Sequence, residues 1–96
     1  MSTDPRITRE TEATQGRFVF EKAGEAAELT YSLPSPGLIS ADHTRVPDSL
    51  RGTGAGLALV EALVAAARAE GLRIQPHCPF VAAMRQRHPD WADAFV

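Results

Sequence analysis

Hydrophobic and polar residues alternate along the first third of the chain, a pattern that indicates half-buried β-strands. In residues 17–22, Phe18 and Phe20 share one face, because successive side chains of a strand point to opposite sides. The alternation resumes over residues 25–33, after a short turn at Gly24. Two alternating segments joined by a short glycine-containing turn predict a β-hairpin.

A third strand, a helix and a fourth strand follow the hairpin. Pro34 is expected to break the second strand, and residues 38–46 predict a third strand that ends at the next proline. Over residues 54–70 the apolar positions recur at helical spacing, and Gly71 suits a left-handed helix end. Residues 72–75 predict a short strand. A strand, a helix and a strand in this order predict a right-handed crossover with two parallel strands.

The two ends of the chain are less regular. Residues 80–87 predict a short helix, after which Trp91 and Phe95 are expected to pack the tail against the core. Residues 1–16 are polar and predict a flexible N-terminal arm, with or without a first strand at its end. Residues 17–96 then form one domain of the α/β (α+β) class: antiparallel hairpin strands, a parallel crossover and a short C-terminal helix.

Composition narrows the function classes. The chain has 96 residues and a formal net charge of −2, which argues against a binder of duplex nucleic acid, so no DNA partner is expected. Its single cysteine excludes an internal disulfide and suits a reducing compartment. The polar N-terminus predicts no signal peptide, and the apolar run at 57–69 is too short to span a bilayer. We therefore expect a cytoplasmic protein that is not bound to membranes.

A glycine-rich turn opens the predicted helix. Arg51 is followed by Gly52, Gly54 and Gly56, which leave no side chains above the first helical turn. The free N–H groups and the dipole of a helix N-terminus attract anions, and phosphate or pyrophosphate fits best. Leu57 occurs one residue after the last glycine, so the dinucleotide fingerprint does not match, and the lysine of a nucleotide P-loop is missing. A tight turn that binds no ligand is the alternative.

Four short motifs together resemble a short stand-alone branch of the GNAT acetyltransferase superfamily. The motifs occur in the expected order, and the resemblance covers residues 17 to about 91. The chain, like that branch, lacks the first helices of full-length GNAT enzymes. The motifs are His43-Thr44-x-Val46-Pro47, Arg51-Gly52-x-Gly54-x-Gly56, Cys78-Pro79-Phe80-Val81 and Arg87-His88-Pro89.

The resemblance implies a truncated GNAT fold that binds acetyl-CoA in a cleft where the third and fourth strands splay apart. Backbone at the end of the third strand would pair with the pantetheine arm, and main-chain N–H groups of the glycine loop would hold the pyrophosphate. The implied cofactor-binding residues are Thr44, Arg45, Val46, Arg51, Gly52, Thr53, Gly54, Ala55, Gly56, Cys78 and Phe80.

The groups that move protons depart from the GNAT pattern. Many GNAT enzymes carry a tyrosine acid on the helix after the last strand, but here that position is Met84, and Tyr31 belongs to another strand. Where many use a glutamate base, this chain offers Asp42 and His43. Imidazole suits a base at neutral pH, so His43 is the candidate catalytic base. In a regular strand Asp42 points to the opposite face, unless a bulge intervenes.

Cys78 is the second catalytic candidate, because it follows the parallel strand at the end where open α/β sheets bind ligands. It could contact the thioester, accept the acyl group or protonate the leaving thiolate; a buried, inert cysteine is the alternative. A metal site built from His43, His77, Cys78 and His88 is not expected, because adjacent residues diverge in extended chain and no paired ligand spacing occurs.

These observations predict a small acyl-CoA-dependent N-acetyltransferase with acetyl-CoA as its cofactor and an unidentified amine as acceptor. A CoA-binding sensor or interaction module without turnover is the alternative, and a purely structural α/β domain is a third hypothesis. The sequence identifies neither the acceptor nor the oligomeric state.

Overall fold

A computed structural model describes residues 4–96 and contains one five-stranded sheet with the strand order β1-β2-β3-β4-β5. The first four strands are antiparallel neighbours, and β4 and β5 are parallel. The strands are β1 (Ile7–Thr11), β2 (Gln15–Lys22), β3 (Glu25–Ser35), β4 (Leu38–Arg45) and β5 (Arg73–Pro76). The helices are α1 (Ala55–Glu70) and α2 (Pro79–Arg87), with 3-10 turns at Asp48–Leu50 and Pro89–Ala94.

The helices pack on one face of the sheet and form a single hydrophobic core with it. Alternate strand residues such as Phe20, Leu29 and Ile39 are fully buried against Leu59 and Leu63 of α1. Trp91 and Phe95 of the tail are buried in the same cluster, as the sequence predicted. The opposite side of the sheet, here called the open face, carries the polar residues of the alternating pattern. The α/β class and the parallel crossover through α1 are confirmed.

Part of the predicted N-terminal arm is a strand. Residues 7–11 pair with β2 along their whole length, whereas residues 1–3 of the predicted arm lie outside the described residues. Arg9 explains why β1 docks: its guanidinium lies 5.2 Å from the ring centroid of Phe18, and its Nε donates to the Tyr31 hydroxyl at 3.0 Å. The same guanidinium forms an ion pair with Glu70 at the end of α1. These partners are distant in sequence, so the local pattern does not show them.

Strand β3 continues past the proline that was expected to end it. Its register shifts between Ser32 and Ser35, and Ser35 then pairs with Leu38 across the turn. Pro34 lies inside this irregular stretch, where a missing N–H donor is tolerated. The correction lengthens β3 by two residues and leaves the order of elements unchanged. No helix among residues 4–96 is long and apolar enough to cross a membrane.

Candidate functional site

The glycine loop forms a tight turn that ends in a helix cap. Gly54 adopts φ +84° at the N-cap of α1, in the left-handed region that side chains rarely tolerate, and its carbonyl accepts the N–H of Ala58 at 2.9 Å. Arg51 and Thr53 donate their N–H groups within the turn, to Asp48 and Leu50 at 3.2 and 3.3 Å. Of the loop amides expected to hold pyrophosphate, these two are therefore already engaged.

The residues that carry the remaining amides line a cavity of about 630 Å³. The first turn of α1 has no intrahelical acceptors for its N–H groups, and the helix dipole adds partial positive charge there. Arg51 and Arg45, both exposed, contribute two guanidinium groups to the rim. The lining brings together nine of the eleven predicted cofactor-binding residues: Thr44, Arg45, Val46, Arg51, Gly52, Gly54, Ala55, Gly56 and Phe80. Leu50 and Leu57 line it as well.

The two predicted residues outside that lining lie directly behind it. Thr53 uses its hydroxyl to bond the Leu50 carbonyl, which closes the turn. Cys78 is the N-cap of α2 and only 3% exposed, and its Sγ lies 3.4 Å from the Thr44 hydroxyl oxygen. Thr44 itself lines the cavity. The thiol is thus separated from the cavity by one side chain.

Strands β4 and β5 splay apart beside this cavity. Their pairing runs from Leu38 and Arg73 to Ala41 and Pro76, and the Cys78 N–H then donates to the Ala41 carbonyl at 2.8 Å. Strand β4 continues to Arg45, and over residues 42–45 the described part of the chain provides no partner on the β5 side. An unpaired strand edge can bind an extended ligand by adding it as a further strand.

A β-bulge in β4 decides where the proton-transfer candidates point. His43 pairs with Thr30, but Ala41 pairs with Tyr31, so Asp42 is an extra residue in the ladder. Asp42 and His43 therefore line the same cavity, although a regular strand would separate them. Ser40, which is 6% exposed, donates to Asp42 Oδ1 at 2.7 Å and holds this carboxylate in place.

This second cavity, here called the open-face cavity, measures about 700 Å³ and lies across β1–β4 on the side away from the helices. It shares no lining residue with the first cavity, but adjacent residues of β4 line the two: His43 lines this cavity and Thr44 lines the other. Its residues are Glu10, Glu12, Gln15, Gly16, Arg17, Thr30, Tyr31, Ser40, Asp42, His43 and His77.

The single arginine of this lining is already paired. Arg17 bonds Glu10 through Nε at 2.9 Å and Glu28 through Nη1 at 3.0 Å. The hydrogen bond that Arg17 donates to the Glu10 carboxylate is the main reason why the pKa of Arg17 is raised. Asp42 and Glu12 have no cationic partner within 4.0 Å among residues 4–96, so the cavity carries excess negative charge.

Sequence reasoning missed the contributions from β1 and the β1–β2 turn. Glu10 and Glu12 fall in the segment predicted as an arm, and the charge of the cavity depends on them. His77 was weighed as a metal ligand and as a neighbour of Cys78, not as part of this cavity. Among residues 4–96 no three His, Cys, Asp or Glu side chains are placed to hold a metal ion. Met84, at the expected tyrosine position, is a buried core residue, whereas the hydroxyl of Tyr31 bonds Arg9.

Comparisons with known proteins agree with this geometry. The family model described as GCN5-related N-acetyl-transferase matches residues 17–94. Among solved structures, the chain is similar to the NMR solution structure of a GCN5-like protein from Staphylococcus aureus, described as a candidate N-acetyltransferase. The two are 27% identical with a TM-score of 0.70, and the alignment covers 97% of this chain and 91% of that one. A comparison with curated proteins found no significant match to this chain.

Proposed function

The chain belongs to the family of GCN5-related N-acetyltransferases, and on that premise we propose that it transfers an acetyl group from acetyl-CoA to an amine. The observation that carries the proposal is that adjacent residues of β4, His43 and Thr44, line two cavities of different chemistry. A cavity with backbone amides and arginines suits the diphosphate of CoA, and a cavity with a histidine and carboxylates suits an amine. The reacting carbon would lie between the two cavities, where β4 and β5 separate.

In this proposal the CoA arm lies along the unpaired edge of β4. Residues 44–46 offer backbone groups to the pantetheine amides, and the N–H groups of Gly52, Gly54 and the first turn of α1 meet the diphosphate. Arg45 and Arg51 supply charge at the rim, and Phe80 forms an apolar wall. Acetyl-CoA supplies the activated acetyl group; the protein binds it, orients it and moves protons.

His43 is proposed as the base. Its imidazole is exposed in the open-face cavity, beside the extra residue of the bulge. An incoming ammonium group must lose one proton before its nitrogen can attack the thioester carbonyl, and imidazole exchanges protons readily near neutral pH. The C–N bond forms, the nitrogen gives its second proton to solvent, and the C–S bond breaks. The CoA sulfur leaves as a thiolate that takes up one proton.

Cys78 is proposed to supply that proton through Thr44. The thiol lies 3.4 Å from the Thr44 hydroxyl oxygen, and Thr44 lines the cavity at the glycine loop, here called the CoA cavity. Thr44 can give its proton to the CoA thiolate while it takes one from Cys78, which solvent later restores. This route replaces the tyrosine acid that the chain lacks on α2.

A CoA-binding module without turnover is the second candidate function. The observation that favours it is Met84, a buried apolar residue where many relatives of this fold carry a tyrosine acid. The two functions share the CoA cavity and differ only in chemistry.

Two measurements test the proposal in order. A thermal shift with acetyl-CoA comes first: ligand at about a hundred times its dissociation constant adds about 2.7 kcal/mol to the free energy of unfolding. Release of free CoA thiol in the presence of an amine panel comes second. A shift together with release supports the transferase, and a shift without release from any amine supports the module. No shift at millimolar acetyl-CoA contradicts both.

A further inference from the structure

We infer that the acceptor is a small linear amine with two or more positive charges, bound in the open-face cavity. The inference rests on the proposed acetyl transfer and adds the substrate class to it. Three features support it: the residues that line the cavity, the ion pairs among them and the position of the proposed base.

The charge of the cavity selects cations. Three carboxylates line it, those of Glu10, Glu12 and Asp42, and the guanidinium of Arg17 is shared between Glu10 and Glu28. Glu12 and Asp42 are left without a cationic partner within 4.0 Å among the described residues. A monoamine would neutralise only one of these two carboxylates, whereas a molecule with two ammonium groups neutralises both.

The strand order determines how the two carboxylates are arranged. Asp42 lies on β4 next to Ser40, Ser40 pairs with Ser32 of β3, and Ser32 pairs with Gln15 of β2. The N–H of Glu12 donates to the Gln15 carbonyl in the hairpin turn. At about 4.8 Å between neighbouring strands, two to three strand spacings separate the backbones, or roughly 10–14 Å. An extended chain with charges near its ends therefore fits better than a compact dication.

The base determines which end reacts. His43 is adjacent to Asp42, and the next residue, Thr44, lines the CoA cavity, whereas Glu12 lies two to three strand spacings from β4. The ammonium group at Asp42 gives its proton to His43 and attacks the thioester. The second ammonium group stays protonated at Glu12 and holds the molecule. The cavity volume, about 700 Å³, lies within the range of small-molecule sites.

The test compares α,ω-diaminoalkanes of four to ten carbons with monoamines of the same length, using the full chain. Binding is measured by calorimetry without cofactor, and turnover by CoA release with acetyl-CoA. We expect kcat/KM for the best diamine to exceed that of the matched monoamine at least tenfold, about the effect of one added charged hydrogen bond. We expect that best diamine to be longer than four carbons.

Three isosteric variants locate the effect. Glu12→Gln should raise KM for the diamine about tenfold and leave the monoamine unchanged, because only the second charge loses its partner. Asp42→Asn should weaken both amines. Glu21→Gln is the matched control: it removes the same charge from the open face of the sheet, on β2 and outside the cavity, and should change the kinetics of neither amine.

The outcomes separate this inference from the proposed function. Equal kcat/KM for diamine and monoamine, preference for a lysine-containing peptide over every diamine, or an equal effect of Glu21→Gln and Glu12→Gln overturns the inference while acetyl transfer stands. Failure of acetyl-CoA to bind overturns the proposed function. In that case the calorimetric comparison alone decides the inference, and diamines that bind no better than monoamines contradict it.

Discussion

The ring of Phe80 lies directly against Gly56: a β-carbon built on Gly56 would stand 2.5 Å from Phe80 Cζ. This contact joins the first turn of α1 to the first turn of α2 at the wall of the cavity proposed to bind CoA. Phe80 is 39% exposed, so its ring can move away without disturbing the core. The contact therefore defines the shape of the cavity and contributes little to the stability of the fold.

Gly56→Ala is expected to weaken acetyl-CoA binding with little loss of stability. Alanine in a helix gains roughly 0.5–1 kcal/mol over glycine, which offsets the displaced ring. The added methyl group and the shifted ring both enter the space beside the loop amides. Thermal unfolding and acetyl-CoA titration check this, with Phe80→Ala/Gly56→Ala as the control that removes the clash. Unchanged affinity in Gly56→Ala would show that the ring does not border the ligand.

Gly54→Ala should lose both stability and cofactor binding. Its φ of +84° strains any side chain by about 1–2 kcal/mol, and the N-cap then shifts. Gly37→Ala is the matched control, because Gly37 has φ +79° and open space around it but lies in the β3–β4 turn. Both variants should unfold at a similarly lower temperature, and only Gly54→Ala should lose its thermal shift with acetyl-CoA. Equal shifts in both variants would contradict the assignment of the loop.

His43→Gln is expected to lower kcat at least about 100-fold while acetyl-CoA still binds, because the base is lost and the loop is intact. His77→Gln, at the other wall of the same cavity, should have a much smaller effect. Steady-state CoA release checks both variants. Full activity in His43→Gln would remove this residue from the mechanism.

Thr44→Val and Cys78→Ala test the proton route to the leaving thiolate. Each variant should lower kcat by about tenfold or more and leave the KM for acetyl-CoA little changed. The double variant should be no slower than the slower single variant, because the two groups act as one unit. Cys78→Ala also leaves a small cavity in the core and should cost about 1 kcal/mol of stability. Additive losses in kcat would mean that the two side chains act separately.

Glu70→Gln tests whether β1 is held by its ion pair. The hydrogen bond from Arg9 lowers the pKa of Glu70 below its ordinary value of 4.5. A carboxyl with a lowered folded-state pKa stabilises the fold above its unfolded-state pKa, and this contribution disappears as pH falls through the folded-state value. Glu70→Gln should therefore be less stable by under about 1 kcal/mol at pH 7, and the difference should vanish well below pH 4.5.

The control for this measurement is Glu61→Gln on the same helix, for which the described residues show no ion pair. Urea unfolding at pH 7 and at acidic pH measures both variants. A Glu70→Gln protein whose deficit persists at acidic pH would owe it to packing and not to charge.

The geometry of the cavity proposed to bind CoA was predictable because it depends on local sequence. Positive φ at Gly54 and free amides at the start of α1 follow from residues that are adjacent in sequence, and the motif at 51–56 carries them all. Phe80 was predicted from its motif, although its contact with Gly56 is tertiary. The amides of Arg51 and Thr53 turn inward for a reason that composition does not show: the preceding 3-10 turn supplies their acceptors.

The acceptor side was predictable only in part. The sequence left open whether a bulge brings Asp42 and His43 to one face, because a bulge depends on how β4 pairs with β3 and not on β4 alone. The carboxylates of Glu10 and Glu12 reach the cavity because β1 joins the sheet. That docking depends on Arg9 and its distant partners Tyr31 and Glu70.

By itself, then, the chain determined its elements from β2 onward, their order and the glycine turn at the start of α1, since helical and strand periods, glycines and caps act over a few residues. Tertiary structure alone decided on which face of the sheet each side chain of β4 lies and which charged side chains surround the open-face cavity. Register, strand addition and ion pairing join residues up to 61 positions apart, and no local pattern records such contacts.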